Sequence, residues 1–260
     1  LYTPIQHLSQ VFDSYGQAQV GFRRISALLA EPTESAESSP ENPENTVSTA
    51  VDARGPIRFD RVGFSYPGAA QPALHTVTFD IAPGSTVAVV GPTGAGKSTI
   101  VKLIERFYEP TEGTIRANTT NIKDLPMNGW RSAVGFVPQE AHLFTGTIAE
   151  NIAYGHPMAS REEITNAARR VGALHAIAAI PGGFNARIGE RGRGLSSGQR
   201  QLVALARAEI IHPQLLLLDE ATATLDPATE KTIVAASNRV TQTRTAVVVA
   251  HRLATARRAD

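Results

Sequence analysis

The sequence predicts an α/β fold built around a parallel sheet, and three observations carry that prediction. Short, continuously apolar segments, Thr86 to Val90, Leu215 to Leu218 and Thr245 to Ala250, have the length and composition of strands buried on both faces. Segments with apolar residues at spacings of three and four alternate with them, as in units of strand, helix and strand. A glycine-rich stretch joins the first buried segment to a helical one, which is where such folds turn from sheet to helix. The chain has 260 residues, enough to bury a substantial core. Hydrophobic residues make up 42% and charged residues 19%, an ordinary globular composition.

Taken in order, residues 1–30 carry a helical stripe of Leu1, Ile5, Leu8, Phe12, Tyr15, Phe22, Ile25 and Leu29, with Pro4 suited to a first turn. On pattern alone this is an amphipathic packing helix. From Glu31 to about Arg54 the chain is rich in Glu, Pro, Ser, Thr and Asn, a composition that favours a linker over residues 31–55. From Ile57 the period becomes two: Ile57 and Phe59, Val62 and Phe64, then Val77, Phe79 and Ile81 read as half-buried strands. Ile100, Val101, Leu103, Ile104 and Phe107 read as a helix, and Ser160 with Glu163 forms a capping box for another running to about Ala178. Leu202, Leu205 and Ala206 mark a further helix. No internal repeat is visible.

Several classes are excluded or disfavoured at this level. The 25 basic and 24 acidic residues give a net charge of +1, which offers no electrostatic case for nucleic acid. Without cysteine there is no disulfide, thiolate nucleophile or thiolate metal site. No apolar run approaches the ~18 residues needed to span a bilayer. The chain opens on Leu1 without a signal-type segment and reads as a piece of something longer.

Two motifs carry the chemistry. Gly91-Pro92-Thr93-Gly94-Ala95-Gly96-Lys97-Ser98-Thr99 fits the phosphate-binding pattern G-x-x-x-x-G-K-[ST], between a buried strand and a helix. Glycines let the backbone fold around phosphates with its N–H groups inward, and the helix N-terminus adds partial positive charge there. Lys97 would hold the β- and γ-phosphates, and the Ser98 hydroxyl would bind Mg²⁺. Leu215 to Leu218 then deliver Asp219 and Glu220 to the C-terminal end of a buried strand, where open α/β sheets bind ligands. Asp219 can hold Mg²⁺ through water, and Glu220 can polarise the attacking water.

Those two motifs fit kinases, GTPases and many ATPases alike. Leu195-Ser196-Ser197-Gly198-Gln199, about 20 residues before Asp219, resembles the L-S-G-G-Q signature of ABC ATPases, with Ser197 where that family usually has Gly. The resemblance runs from Ile57 to the end of the chain. It implies a P-loop ATPase core with a parallel sheet, an antiparallel β-subdomain and a helical signature subdomain. It also implies that Ser196, Ser197, Gly198 and Gln199 bind the γ-phosphate of ATP held on an opposite subunit. Tyr66, in Phe64-Ser65-Tyr66-Pro67, matches the aromatic that stacks on adenine, and Gln139, in Val137-Pro138-Gln139, matches the glutamine that contacts Mg²⁺ and the attacking water. Asp226 matches the D-loop, although Thr224-Leu225 precedes it where the family more often shows Ser-Ala-Leu. His251 matches the switch histidine of the γ-phosphate.

Thr147-Ile148-Ala149-Glu150-Asn151-Ile152 resembles the exporter segment after that glutamine, and Gly189-Glu190-Arg191-Gly192 the exporter loop before the signature. The resemblance therefore implies an exporter on the cytoplasmic side of the cell membrane. Residues 1–30 would join the last transmembrane helix to an ATPase of residues 56–260 lacking part of its C-terminal region. The implied cofactors are ATP and Mg²⁺. The implied partners are the transmembrane domain of the same transporter and a second ABC ATPase domain, in a homodimer or heterodimer, with no nucleic acid. Two rivals predict other features. A soluble ABC ATPase of DNA repair or translation predicts long coiled-coil or nucleic-acid-binding insertions, and none is visible. An ATP-gated dimerisation module that does not hydrolyse predicts loss of the glutamate, and Glu220 is present.

Overall fold

The computed structural model describes residues 3–30, 51–219 and 226–250. The chain divides into two units, Leu1–Val47 and Ser48–Asp260. The first contains helix α1 (Thr3–Leu29), with Pro4 in its opening turn. Phe12, Tyr15, Phe22, Ile25 and Leu29 of its stripe are all exposed. Among the described residues no helix is long and apolar enough to cross a membrane.

The second unit runs β1 (Ile57–Phe64), β2 (Leu74–Ile81), β3 (Thr86–Val89), α2 (Lys97–Ile104), β4 (Glu112–Ala117), β5 (Thr120–Asn121), α3 (Met127–Ala133) and β6 (Val134–Val137). It continues with β7 (Gly146–Thr147), α4 (Ile148–Ile152), α5 (Arg161–Arg170), α6 (Leu174–Ala178), β8 (Arg187–Ile188), α7 (Ser197–Ile210), β9 (Leu215–Asp219), α8 (Pro227–Thr241) and β10 (Thr245–Val249). An antiparallel sheet takes the order β2-β1-β4-β5, and a parallel sheet the order β3-β10-β9-β6.

The unbroken apolar character of β9 and β10 follows from cover on both faces. Leu215, Leu217, Val247 and Val249 pack with Phe59, Leu103, Ile115 and Trp130 beneath the antiparallel sheet. Leu216, Leu218, Ala246 and Val248 pack with Ile148, Ile152, Val203 and Leu205 of the helical layer. By contrast β3, expected to be fully buried, is half-buried, because it is the edge strand of the parallel sheet as described.

Three further expectations need correction. The helix after the glycine-rich loop stops at Ile104, and Phe107 lies beyond it, exposed. Phe107 N–H bonds Lys102 O and Arg106 N–H bonds Leu103 O around a left-handed Arg106, the Schellman closure of a helix end. The helix expected from Ser160 to Ala178 is two, since the same closure at Gly172 separates α5 from α6. Its capping box is present as expected, with Ser160 and Glu163 bonding each other's backbone N–H. Of the expected linker, residues 31–50 lie outside the described residues. Residues 51–55 pack on the domain: Val51 and Ala53 are buried, and Ala53 N–H donates to Gln214 Oε1 at 2.7 Å.

Candidate nucleotide site

The loop between β3 and α2 is shaped by its glycines. Gly96 caps α2 in the left-handed region at φ 83°, and a Cβ there would stand 2.5 Å from Ala73 O and 2.6 Å from Leu74 Cδ2. Neither the backbone angle nor the space admits a side chain. The Lys97 side chain folds back over the loop and is buried, its Nζ donating to Gly91 O at 3.0 Å and Pro92 O at 2.9 Å. The ammonium thus lies against the loop that carries Gly91 to Gly96. No acidic residue occupies the first turn of α2, so the helix brings no carboxylate of its own to its N-terminal amides.

The register of the parallel sheet brings the remaining groups to the same edge. Val249 pairs with Asp219, and Val137 with Leu218, so Asp219, the start of the Pro138-Gln139 turn and the end of β10 emerge together. Ala250 N–H bonds Val89 O, which ties that end to the strand feeding the glycine-rich loop. Ser98 Oγ lies 3.5 Å from Asp219 Oδ2. A hydroxyl and one carboxylate at this spacing suit Mg²⁺, a hard cation that takes oxygen ligands and fills its remaining positions with water and phosphate. Among the described residues no cluster of three or more His, Cys, Asp or Glu could form an all-protein cage. Gln139 is exposed beyond the end of β6. Tyr66 is half-buried in front of α2, its hydroxyl 3.1 Å from Thr99 Oγ1. Glu220 and His251 lie outside the described residues, as do Thr224 and Leu225.

The signature segment opens α7. Ser196 is its N-cap: Ser196 Oγ accepts from Gln199 N–H at 3.2 Å, and Gln199 Oε1 accepts from Ser196 N–H at 2.9 Å. Ser197 is exposed and Gly198 buried. A Cβ on Gly198 would overlap Thr229 Cγ2, so the starts of α7 and α8 meet there. Asp226 is the N-cap of α8, accepting from Ala228 N–H at 3.1 Å and Thr229 N–H at 3.0 Å. Hydrogen bonds from Thr229, its hydroxyl first and then its amide, hold the Asp226 carboxyl below its ordinary pKa.

The family model described as "ABC transporter" matches residues 74–223, more than half of the chain. The chain belongs to the ABC transporter family.

It is 44% identical over all its 260 residues to the "Multidrug efflux ATP-binding/permease protein" of Mycobacterium bovis (strain BCG / Pasteur 1173P2), covering 21% of that protein. It is 40% identical over the same 260 residues to the "ATP-dependent lipid A-core flippase" of Chromobacterium violaceum, covering 43% of it. A solved structure titled "Structure of a bacterial Atm1-family ABC exporter with ATP bound" matches with a TM-score of 0.80 and 38% identity, over 100% of this chain and 44% of that one. The chain spans less than half the length of each of these relatives.

In this ABC domain the two exporter-like segments are neighbours. The β7–β8 pairing sets Gly146 opposite Ile188 and Thr147 opposite Arg187, and the turn at Glu190–Gly192 follows directly. Thr147 and Glu150 form a capping box for α4. Sequence reasoning missed the knot beneath it. Buried Asn151 bonds Phe144 N–H and O through its side chain, and Arg207 donates to Asn151 O, Asn151 Oδ1 and His142 O. Arg207 also lies over the rings of Phe144 and Tyr154, which stack at 4.3 Å. Burial is the main cause that lowers the Arg207 pKa. An arginine in a helix that otherwise faces a core was the one available sequence signal.

Proposed function

We propose that residues 56–260 form the ATP-hydrolysing motor of an exporter, with a linker that begins at residue 31 and ends before the packed residues 51–55, and with residues 1–30 as the connection to the last transmembrane helix. The observation that carries this reading is the convergence of Lys97, Ser98 and Asp219 at the C-terminal edge of the parallel sheet, 3.5 Å separating the hydroxyl from the carboxylate. The loop from Gly91 through Pro92, Thr93, Gly94, Ala95 and Gly96 to Lys97 cradles the phosphates of ATP with backbone N–H groups. Lys97 exchanges its two carbonyl partners for phosphate oxygens. Ser98, Asp219 and Gln139 hold Mg²⁺, which when bound neutralises charge on the transferring phosphoryl group.

Glu220 orients the attacking water and takes its proton, and His251 contacts the γ-phosphate. Tyr66 stacks on adenine. Ser196, Ser197, Gly198, Gln199 and Asp226 complete the ATP site of a second ABC ATPase domain facing head to tail, in a homodimer or heterodimer. Closure of the pair drives the transmembrane domain, which places the ATPase at the cytoplasmic side of the cell membrane. The names of the relatives, an efflux ATP-binding/permease protein and an ATP-dependent flippase, support this arrangement.

The test is Glu220→Gln. The amide keeps the shape and one acceptor but takes no proton. Single-turnover hydrolysis is expected to fall by ~10²-fold or more, with nucleotide affinity near the parental value. Hydrolysis at the parental rate would remove Glu220 from the mechanism.

A further inference from the structure

A hydrogen bond joins Tyr66 to the helix that follows the glycine-rich loop. Tyr66 follows β1 by two residues, and its hydroxyl lies 3.1 Å from Thr99 Oγ1, either atom serving as donor. Thr99 is the third residue of α2, immediately after Ser98, and only 5% exposed. A helical threonine ordinarily turns its hydroxyl back to a carbonyl of the preceding turn. Here it bonds across to β1's extension instead, while the Thr99 amide bonds Gly96 O.

The ring is held on other sides as well. Phe64 meets it at 4.8 Å and 84°, Tyr108 at 5.2 Å and 87°, and Lys102 Nζ lies 5.4 Å from its centroid. The Tyr66–Thr99 bond is directional and runs to the helix that carries Lys97 and Ser98.

We infer that Thr99 is a positioning residue for the purine: through the Tyr66 hydroxyl it fixes the orientation of the stacking ring beside the phosphate cradle. This rests on the reading of Tyr66 as the adenine platform. A base that stacks on a ring already in place loses less freedom on binding than one that must order the ring first. The hydroxyl of Tyr66 therefore contributes to ATP affinity through the orientation of its ring.

The experiment measures ATP and inorganic triphosphate affinities by calorimetry for Tyr66→Phe, Thr99→Val and the double variant. Each single change is expected to weaken ATP by ~3- to 10-fold, the effect of one lost hydrogen bond, and Tyr66→Phe to leave triphosphate unchanged. The double variant should be no weaker than either single one, because both remove the same bond. Thr99→Ser, which keeps the hydroxyl, should return ATP affinity to the parental value. Equal weakening of ATP and triphosphate by Tyr66→Phe would give the hydroxyl a phosphate or folding role and overturn the inference. So would additive losses, or unchanged ATP affinity in Tyr66→Phe. Tyr66→Ala separates the two levels. If it weakens ATP over triphosphate while Tyr66→Phe and Thr99→Val do nothing, only the tie falls. If it weakens both equally, the platform falls too.

Discussion

Removing the Glu209 carboxylate should destabilise the domain more than any other single surface-distant charge deletion, and the structure sets the size of the loss. Glu209 is 2% exposed near the end of α7. Arg170 of α5 donates to its Oε1 at 2.6 Å, and Arg244, just before β10, lies 3.0 Å from its Oε2. The carboxylate thus holds a helix of the signature layer and the entry to a core strand at one point. Breaking a buried pair costs about 3–5 kcal/mol, because the partner charge stays buried without compensation. The two arginines differ in how well water can rescue them. The Arg170 side chain is 40% exposed and can rehydrate, whereas that of Arg244 is 14% exposed and keeps only weaker bonds, such as that to Pro213 O. The low end of the range therefore applies, ~3 kcal/mol for Glu209→Ala. Glu209→Gln keeps an acceptor and the volume, and should cost ~1–2 kcal/mol. Urea denaturation followed by two probes reads both values, with unchanged m-values as the check that the difference lies in the folded state. A loss below ~1 kcal/mol for Glu209→Ala would show that the triad contributes nothing beyond what its neighbours supply.

Three further outcomes follow from the same geometry. Glu105, largely desolvated at the C-terminal end of α2, has its pKa pushed up to about 7 against the opposing pull of Arg131 and Lys102. Its folded value lies above the unfolded one, so its contribution is fully present below about pH 4.5 and lost as pH rises through about 7; Glu105→Gln should remove ~1–2 kcal/mol of that fall, after allowance for solvent screening, in denaturation curves from pH 5 to 8. Gly96→Ala puts a methyl group against Ala73 O in a left-handed residue and should abolish ATP binding measured by calorimetry, at a stability cost of ~2 kcal/mol or more. Lys97→Ala removes the ammonium at Gly91 O and Pro92 O and should weaken ATP by ~30-fold or more; affinity equal to the parent would overturn its place in the site.

What was legible in the sequence is what local chemistry decides. The two-sided burial of β9 and β10 writes itself as unbroken Leu and Val, and the Ser160–Glu163 box marks a helix start within four residues. The loop before Lys97 announces its shape through its glycines, of which Gly96 has neither the backbone angle nor the space for a side chain. What stayed hidden is what distant segments decide. Arg207 meets Asn151 across 56 positions and Arg170 meets Glu209 across 39, so neither window shows a partner. The expected helix through Ala178 failed at Gly172 because the apolar period continues past it. A long period outweighed one glycine in the sequence, while in the fold the Schellman closure decided.

The departure of Ser197 from the family signature finds its physical meaning here. Two members of the segment are occupied with each other: Ser196 Oγ takes Gln199 N–H, and Gln199 Oε1 takes Ser196 N–H. That reciprocal box satisfies the outer amides of α7 and leaves those of Ser197 and Gly198 at the helix N-terminus. Gly198 cannot carry a side chain, because Thr229 of α8 fills the space a Cβ would need. Ser197 can, because its side chain points to solvent. Of the two positions that are glycine in the usual signature, the one that packing constrains has kept its glycine. The other adds a hydroxyl beside two outward amides. An anion brought up by an opposite subunit would meet those amides with the dipole of a 14-residue helix behind them, and one donor more than glycine would supply.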